Sequence, residues 1–110
     1  MVVWNNRNKY GVKKTHSEQL ERTFDSKAEC RRAEELYLLE KAGAIKDLKF
    51  QIPYQLSLKP NIKIRIDFQY TETSSGRLIH EDTKGILTRD SRTKLAWLKE
   101  KHGVEVYLTS

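Results

Sequence analysis

The sequence predicts a single α/β domain, a mixed sheet flanked by helices, in the order helix, three strands, helix, strand. Three observations lead there. Ile62, Ile64, Ile66, Phe68 and Tyr70 alternate with Lys63, Arg65, Asp67 and Gln69, the two-residue period of a half-buried strand. Two segments of helical period, each with a cap or a glycine stop, bracket the strand region. A further strand pattern follows the second helix, so one connection crosses over the sheet instead of turning back. With 110 residues, one domain burying roughly two thirds of its unfolded surface is the natural size.

Taken in order, residues 1–22 show no clear periodicity and read as a basic N-terminal arm or irregular lead-in, with 23–110 forming the domain. Trp4 and Tyr10 stand among Arg7, Lys9, Lys13 and Lys14, a mixture suited to stacking on bases and touching phosphates. The same tryptophan would equally serve by tucking onto the core. The first helix is KAECRRAEELYLLEKAG, with Ser26 as N-cap and Gly43 as stop. Ala33, Leu36 and Tyr37 centre its core stripe, Leu39 flanks it and Glu40 interrupts it. Glu29, four before Ala33 and seven before Leu36, falls on that same inward side.

Residues 48–58 make a broken strand, with Pro53 marking an edge or bulge. Lys59-Pro60-Asn61 turns into the alternating strand, and Thr73-Ser74-Ser75-Gly76 turns into RLIHEDTKGIL. Arg92 to His102 is the second helix, with Leu95, Leu98 and Trp97 inward and Gly103 at its end; VEVYL is the last strand.

The charges within LIHEDTKGI are the unusual feature. Period-2 geometry puts Asp82 and Lys84 on one face and Glu81 on the other, where solvent or a local basic partner would receive it. If the neighbouring strands pair, Asp67 and Asp82 approach one another, and two buried carboxylates need a compensating cation. A hard divalent ion such as Mg²⁺ supplies one and leaves water positions open for a phosphate. Lys84 would then stabilise charge on that phosphate or orient the attacking water. Glu29 would add a carboxylate to the metal shell or its waters.

Plainer readings stand beside these. Asp82 and Lys84 also suit a same-face surface ion pair worth under about 1 kcal/mol. Asp67 suits a half-exposed strand. Ser26-x-x-Glu29 matches a capping box, which accounts for Glu29 by itself. His80 shares the face of Asp82, and a lone histidine is more often structural than a ligand.

No P-loop, dinucleotide fingerprint, zincin or EF-hand motif is present. The lone Cys30 excludes an intramolecular disulfide and a Cys-based zinc site. No apolar run is long enough to span a membrane, and MVVWNNRNKY lacks a signal-peptide core, so cytoplasmic residence is the default expectation. Charge is unevenly placed. Residues 1–22 carry five Lys/Arg against two acids, 23–83 carry ten of each, and 84–102 carry six against two. Clustering of this kind suits a polyanion, most simply nucleic acid.

An acid on the first helix (Glu29), Asp67 in one strand and D-x-K in the next (Asp82, Lys84) resemble the PD-(D/E)XK nuclease superfamily, whose core runs α-β-β-β-α-β. More narrowly, NKYGVKKT, FDSKAECRRAEELYLLEKAGAIKDLKFQ, RIDFQY and EDTKG resemble a family of small phage-encoded endodeoxyribonucleases long catalogued as a domain of unknown function. The resemblance implies a restriction-endonuclease-like core, Mg²⁺ or Mn²⁺ on Asp67 and Asp82, Lys84 in catalysis and Glu29 as the helical acid. Gln51 falls where that family tends to carry glutamine. Ile66 stands where the superfamily has its proline, a substitution common in the group. Arg89, Arg92 and Lys94, with Lys9, Lys13 and Lys14, are the expected DNA contacts.

The expected function is thus a metal-dependent DNA endonuclease, with branched or junction DNA as a candidate substrate and a homodimer to match its two-fold symmetry. Sequence-specific or nicking cleavage is also compatible. A non-catalytic DNA-binding module of the same fold is the main alternative, and a protein-interaction domain using the first helix is a third. If phage-encoded, the protein would act in the host cytoplasm.

Overall fold

A computed structural model describes residues 13–84 and 86–109. Trp4, Lys9 and Tyr10 lie outside them. The elements are β1 (Thr15–Ser17), β2 (Arg22–Phe24), α1 (Lys27–Lys41), β3 (Ile45–Ser57), β4 (Ile62–Glu72), β5 (Leu78–Thr83), α2 (Arg89–His102) and β6 (Val106–Thr109). From α1 onward this is the expected order. The added element is the β1–β2 hairpin, whose second strand opens at residue 22, where the sequence had divided arm from domain. Two three-residue strands are too short for a period to register.

β3, β4, β5 and β6 form one sheet in that spatial order, antiparallel except for the parallel β5–β6 pair, whose crossover is α2. β3 is an edge strand, one of the two placements that Pro53 indicated. Ser26 caps α1, its Oγ accepting from the Glu29 amide at 3.0 Å. Thr88 caps α2 in the same way through the Ser91 amide, so that helix begins three residues earlier than expected. Gly103 ends it with φ +69°, a conformation other residues adopt at a cost.

The helices lie on opposite faces of the sheet. Ile79 joins the core under α1, with Phe24, Cys30, Ala33, Leu36, Ile45, Phe68 and Tyr70. Its neighbour His80, pointing the other way, meets Tyr54, which packs in the second core beside α2 with Leu56, Ile66 and Leu98. Leu36 and Leu98 are fully buried, and shortening either to alanine would cost about 2–5 kcal/mol.

The long β3–β4 hairpin feeds both cores. Phe68 and Tyr70 belong to the α1 core, whereas Ile66, with Ile62 and Ile64 beside it, belongs to the α2 core. Strict alternation would have sent all five to one side. The division falls between Phe50 and Ile52 in β3 and between Phe68 and Ile66 in β4, pairs that stay in register. Gln51 there has φ +56°, a left-handed conformation that re-aims the strand, and Asp67 lies across from it.

Candidate active site

β4 and β5 pair from Thr71↔Leu78 as far as Phe68↔Glu81, and β5 then continues alongside β6 alone. Two aspartates fill the fork. Asp82 Oδ1 accepts from the Asp67 amide at 3.0 Å, and Asp67 Oδ2 accepts from the Thr83 amide at 2.9 Å. The expected approach of Asp67 to Asp82 therefore occurs, through strand separation and not through ladder pairing. Each carboxylate keeps one oxygen clear of the backbone.

Asp82 is 1% exposed, and its remaining Oδ2 has no hydrogen-bond partner. Lys84 Nζ lies 3.0 Å from that oxygen, an ion-pair distance whose angles do not make a hydrogen bond. The pair is thus not the solvated surface bridge that spacing alone also allowed, because its carboxylate is buried. Asp67 Oδ1 has only a long 3.5 Å contact from Gln51 Nε2.

Glu29 comes to the same place from the first turn of α1. Its amide bonds Ser26, as in a capping box, but its carboxylate Oε2 accepts from Gln51 Nε2 at 2.7 Å. Gln51, turned by its left-handed backbone, therefore links the helical acid to Asp67.

Crowded acids out of water hold their protons. Burial, reinforced by the neighbouring Asp82 carboxylate, raises Asp67 to about 8. Burial and then the charges of Asp25 and Asp82 raise Glu29 to about 7. A cation at Asp67 Oδ1 and Asp82 Oδ2 would relieve both effects.

The donor set fits a hard divalent ion: two carboxylate oxygens, one of them buried and unbonded. Among the described residues no group of three or more His, Cys, Asp or Glu side chains is arranged to hold a metal. Two carboxylates, with water and a phosphate completing the shell, is a pattern Mg²⁺ accepts.

Glu81 corrects one of its two expected roles: at 2% exposed it does not face solvent, and it is instead the partner of a basic residue, one supplied by α1. Arg32 of α1 grips it through Nε at 2.6 Å and Nη2 at 3.0 Å, and the Tyr70 hydroxyl donates to it at 2.9 Å. His80 is buried and meets the Tyr54 hydroxyl through Nε2 at 2.7 Å, a packed role.

The basic residues are dispersed. Lys13, Lys14, Arg89 and Arg92 are exposed, and Lys94 is half-buried 3.4 Å from Asp90. Lys14 and Lys94 line hollows beside the site, whereas Lys13, Arg89 and Arg92 do not. Arg65 lines both hollows, and the sequence pattern showed it only as one polar residue of an alternating strand.

A family model described as "Protein of unknown function (DUF1064)" matches residues 7–109, spanning every described element. That description assigns no activity. No curated protein and no solved structure gives a significant match. No described helix is long and apolar enough to cross a membrane.

Proposed function

The chain belongs to the DUF1064 family, and on the chemistry of its carboxylate cluster we propose that it is a metal-dependent DNA endonuclease of PD-(D/E)XK type. One observation carries the reading. Asp82 Oδ2 is buried without a hydrogen-bond partner beside a second carboxylate, with the Lys84 ammonium at 3.0 Å as its counter-charge; two crowded carboxylates against one ammonium cost stability unless a further cation joins them. Such a sacrifice at one spot is characteristic of sites built for chemistry.

In this reading Asp67 and Asp82 would hold Mg²⁺ or Mn²⁺, with the backbone amides of Thr83 and Asp67 keeping the carboxylates aimed. The ion, when bound, supplies Lewis acidity to a phosphoryl oxygen and a more acidic water. Lys84, two residues along and against Asp82, turns its ammonium to the scissile phosphate and stabilises the charge that develops there. Glu29, joined to the cluster through Gln51, orients water at the margin. The excess of positive charge supports a nucleic-acid substrate. Branched or junction DNA, cut by a homodimer whose symmetry matches it, is the substrate class we assign.

A DNA-binding module without catalysis competes, favoured by the two-carboxylate donor set where many metal sites have three. The deciding experiment compares cleavage of a labelled four-way junction and of matched linear duplex, in Mg²⁺ and in EDTA, with Asp82→Asn alongside. Metal-dependent cutting of the junction, lost in the variant, is expected. Equal cutting by Asp82→Asn would discard the site; salt-sensitive binding without any cutting would leave the binding module.

A further inference from the structure

Two basic hollows adjoin the carboxylate cluster. The first, of about 190 Å³, is lined by Lys63, Arg65, Lys84 and Lys94, with Asp90 and Ser91 at the start of α2. The second, of about 260 Å³, is lined by Lys14, Arg22, Arg65, Asp25 and Gln51. Each contains one residue of the candidate site, Lys84 in the first and Gln51 in the second. The hollows therefore meet the cluster from two directions, and Arg65 is the side chain they share.

Their electrostatics are one-sided. Among the described residues, Lys14, Arg22, Lys63 and Arg65 make no salt bridge, and in the first hollow only Lys94 and Lys84 face carboxylates. The guanidinium of Arg22 lies over the Phe50 ring at 4.7 Å and the Phe24 ring at 5.6 Å, which fixes its position without neutralising it. Arg65 is exposed on β4 two residues before Asp67. It can offer donors to both sides at once because a guanidinium is a planar fork of five N–H groups.

We propose that the two hollows hold successive phosphates of one DNA strand on either side of the cleaved bond, with Arg65 bridging them. The proposal rests on the nuclease reading for its cleaved bond, but its binding content is separate. The strand runs from the Lys63–Lys94 hollow, past Lys84 and the aspartates, to the Arg22–Lys14 hollow. The β1–β2 hairpin, which brings Arg22 to the second hollow, is then part of the DNA-binding surface and not only a lead-in to the domain.

Each phosphate neutralised steepens the dependence of affinity on salt by about one unit of log K per log unit of salt. Binding of a short labelled duplex would be titrated against salt in EDTA, where cleavage is silent. Arg65→Gln, Arg22→Gln and Lys94→Gln are each expected to flatten the slope by about one unit, since each removes a single positive charge. Lys99→Gln, an equal charge change paired with Glu105 outside both hollows, is the control and should leave it unchanged. Arg22→Gln and Lys94→Gln together should lose the sum of their single effects, whereas Arg65→Gln with either should lose less than the sum. A slope for Arg65→Gln equal to that of Lys99→Gln overturns the proposal, as does wild-type binding that ignores salt. If the pattern holds but Mg²⁺ brings no cleavage, the phosphate track stands and the nuclease reading falls.

Discussion

Glu81 and Asp82 are consecutive residues of one strand, both buried and both paired with a cation, yet they sit in opposite kinds of environment. Glu81 faces α1, where two nitrogens of Arg32 and the Tyr70 hydroxyl satisfy it. Asp82 faces away, shares its surroundings with Asp67, and retains an oxygen that nothing hydrogen-bonds. The difference separates a charge that locks an element in place from one held ready for something else. A closed ion pair is complete within the protein; the open cluster sets two carboxylates beside the single ammonium of Lys84 and becomes complete when a further cation arrives.

The contrast can be tested by breaking each side. The largest effect falls on the open side. Lys84→Ala should reduce cleavage by about 10²–10³-fold, the usual cost of one electrostatic stabiliser, read by single-turnover kinetics in Mg²⁺. A rate within a few-fold of wild type would remove Lys84 from the chemistry. On the closed side, Arg32→Ala should lower stability in urea unfolding by about 3 kcal/mol, because it strands a buried carboxylate. Cleavage per folded molecule should barely move. Tenfold slower cutting by fully folded Arg32→Ala would mean that the closed pair also shapes the site.

A smaller effect is a trend with pH. Asp67 and Glu29 sit at about 8 and about 7 in the fold, against ordinary values of 3.8 and 4.5. Between those limits the folded chain binds more protons than the unfolded one. Metal-free stability should therefore fall as pH rises from about 4 to about 8. Thermal unfolding in EDTA should show that decline, Asp67→Asn should flatten it, and Mg²⁺ should oppose it. A midpoint that rises over the window in wild type, or the same decline in Asp67→Asn, would contradict the crowding of acids. The smallest effect expected is Tyr70→Phe, which removes one of three bonds to Glu81 and should cost about 1 kcal/mol without altering metal binding. A larger shift in its urea midpoint than that of Arg32→Ala would reverse the assignment of which partner holds Glu81.

Much of this was legible in the chain. Helix periods, Ser26, Gly43, Gly103 and the alternation from Ile62 to Tyr70 marked the main elements within a few residues, since each is a local property. Glu29, Asp67, Asp82 and Lys84 were all singled out, and the fold brings them to one place. The hairpin at Thr15–Phe24 was missed because each of its strands has three residues. Glu81 was assigned the right face, but its burial and its basic partner were not legible, because period 2 tells which face a residue takes and not what covers it; Arg32 lies 49 residues away. Gln51 drew notice only by resemblance, and no pattern in LKFQIP announces a left-handed backbone at a strand centre.

The sequence by itself determined the elements, their order and the polar residues that interrupt them, because hydrophobic period, capping and turn chemistry act over a few residues. Only the tertiary structure decided which buried charges are satisfied. That depends on how β4 and β5 fork, on Gln51 reaching Glu29 across 22 residues, and on Arg65 standing between two hollows built from separate elements. Burial and partner count belong to the packed chain as a whole, and they make Glu81 part of the scaffold and Asp82 part of the site.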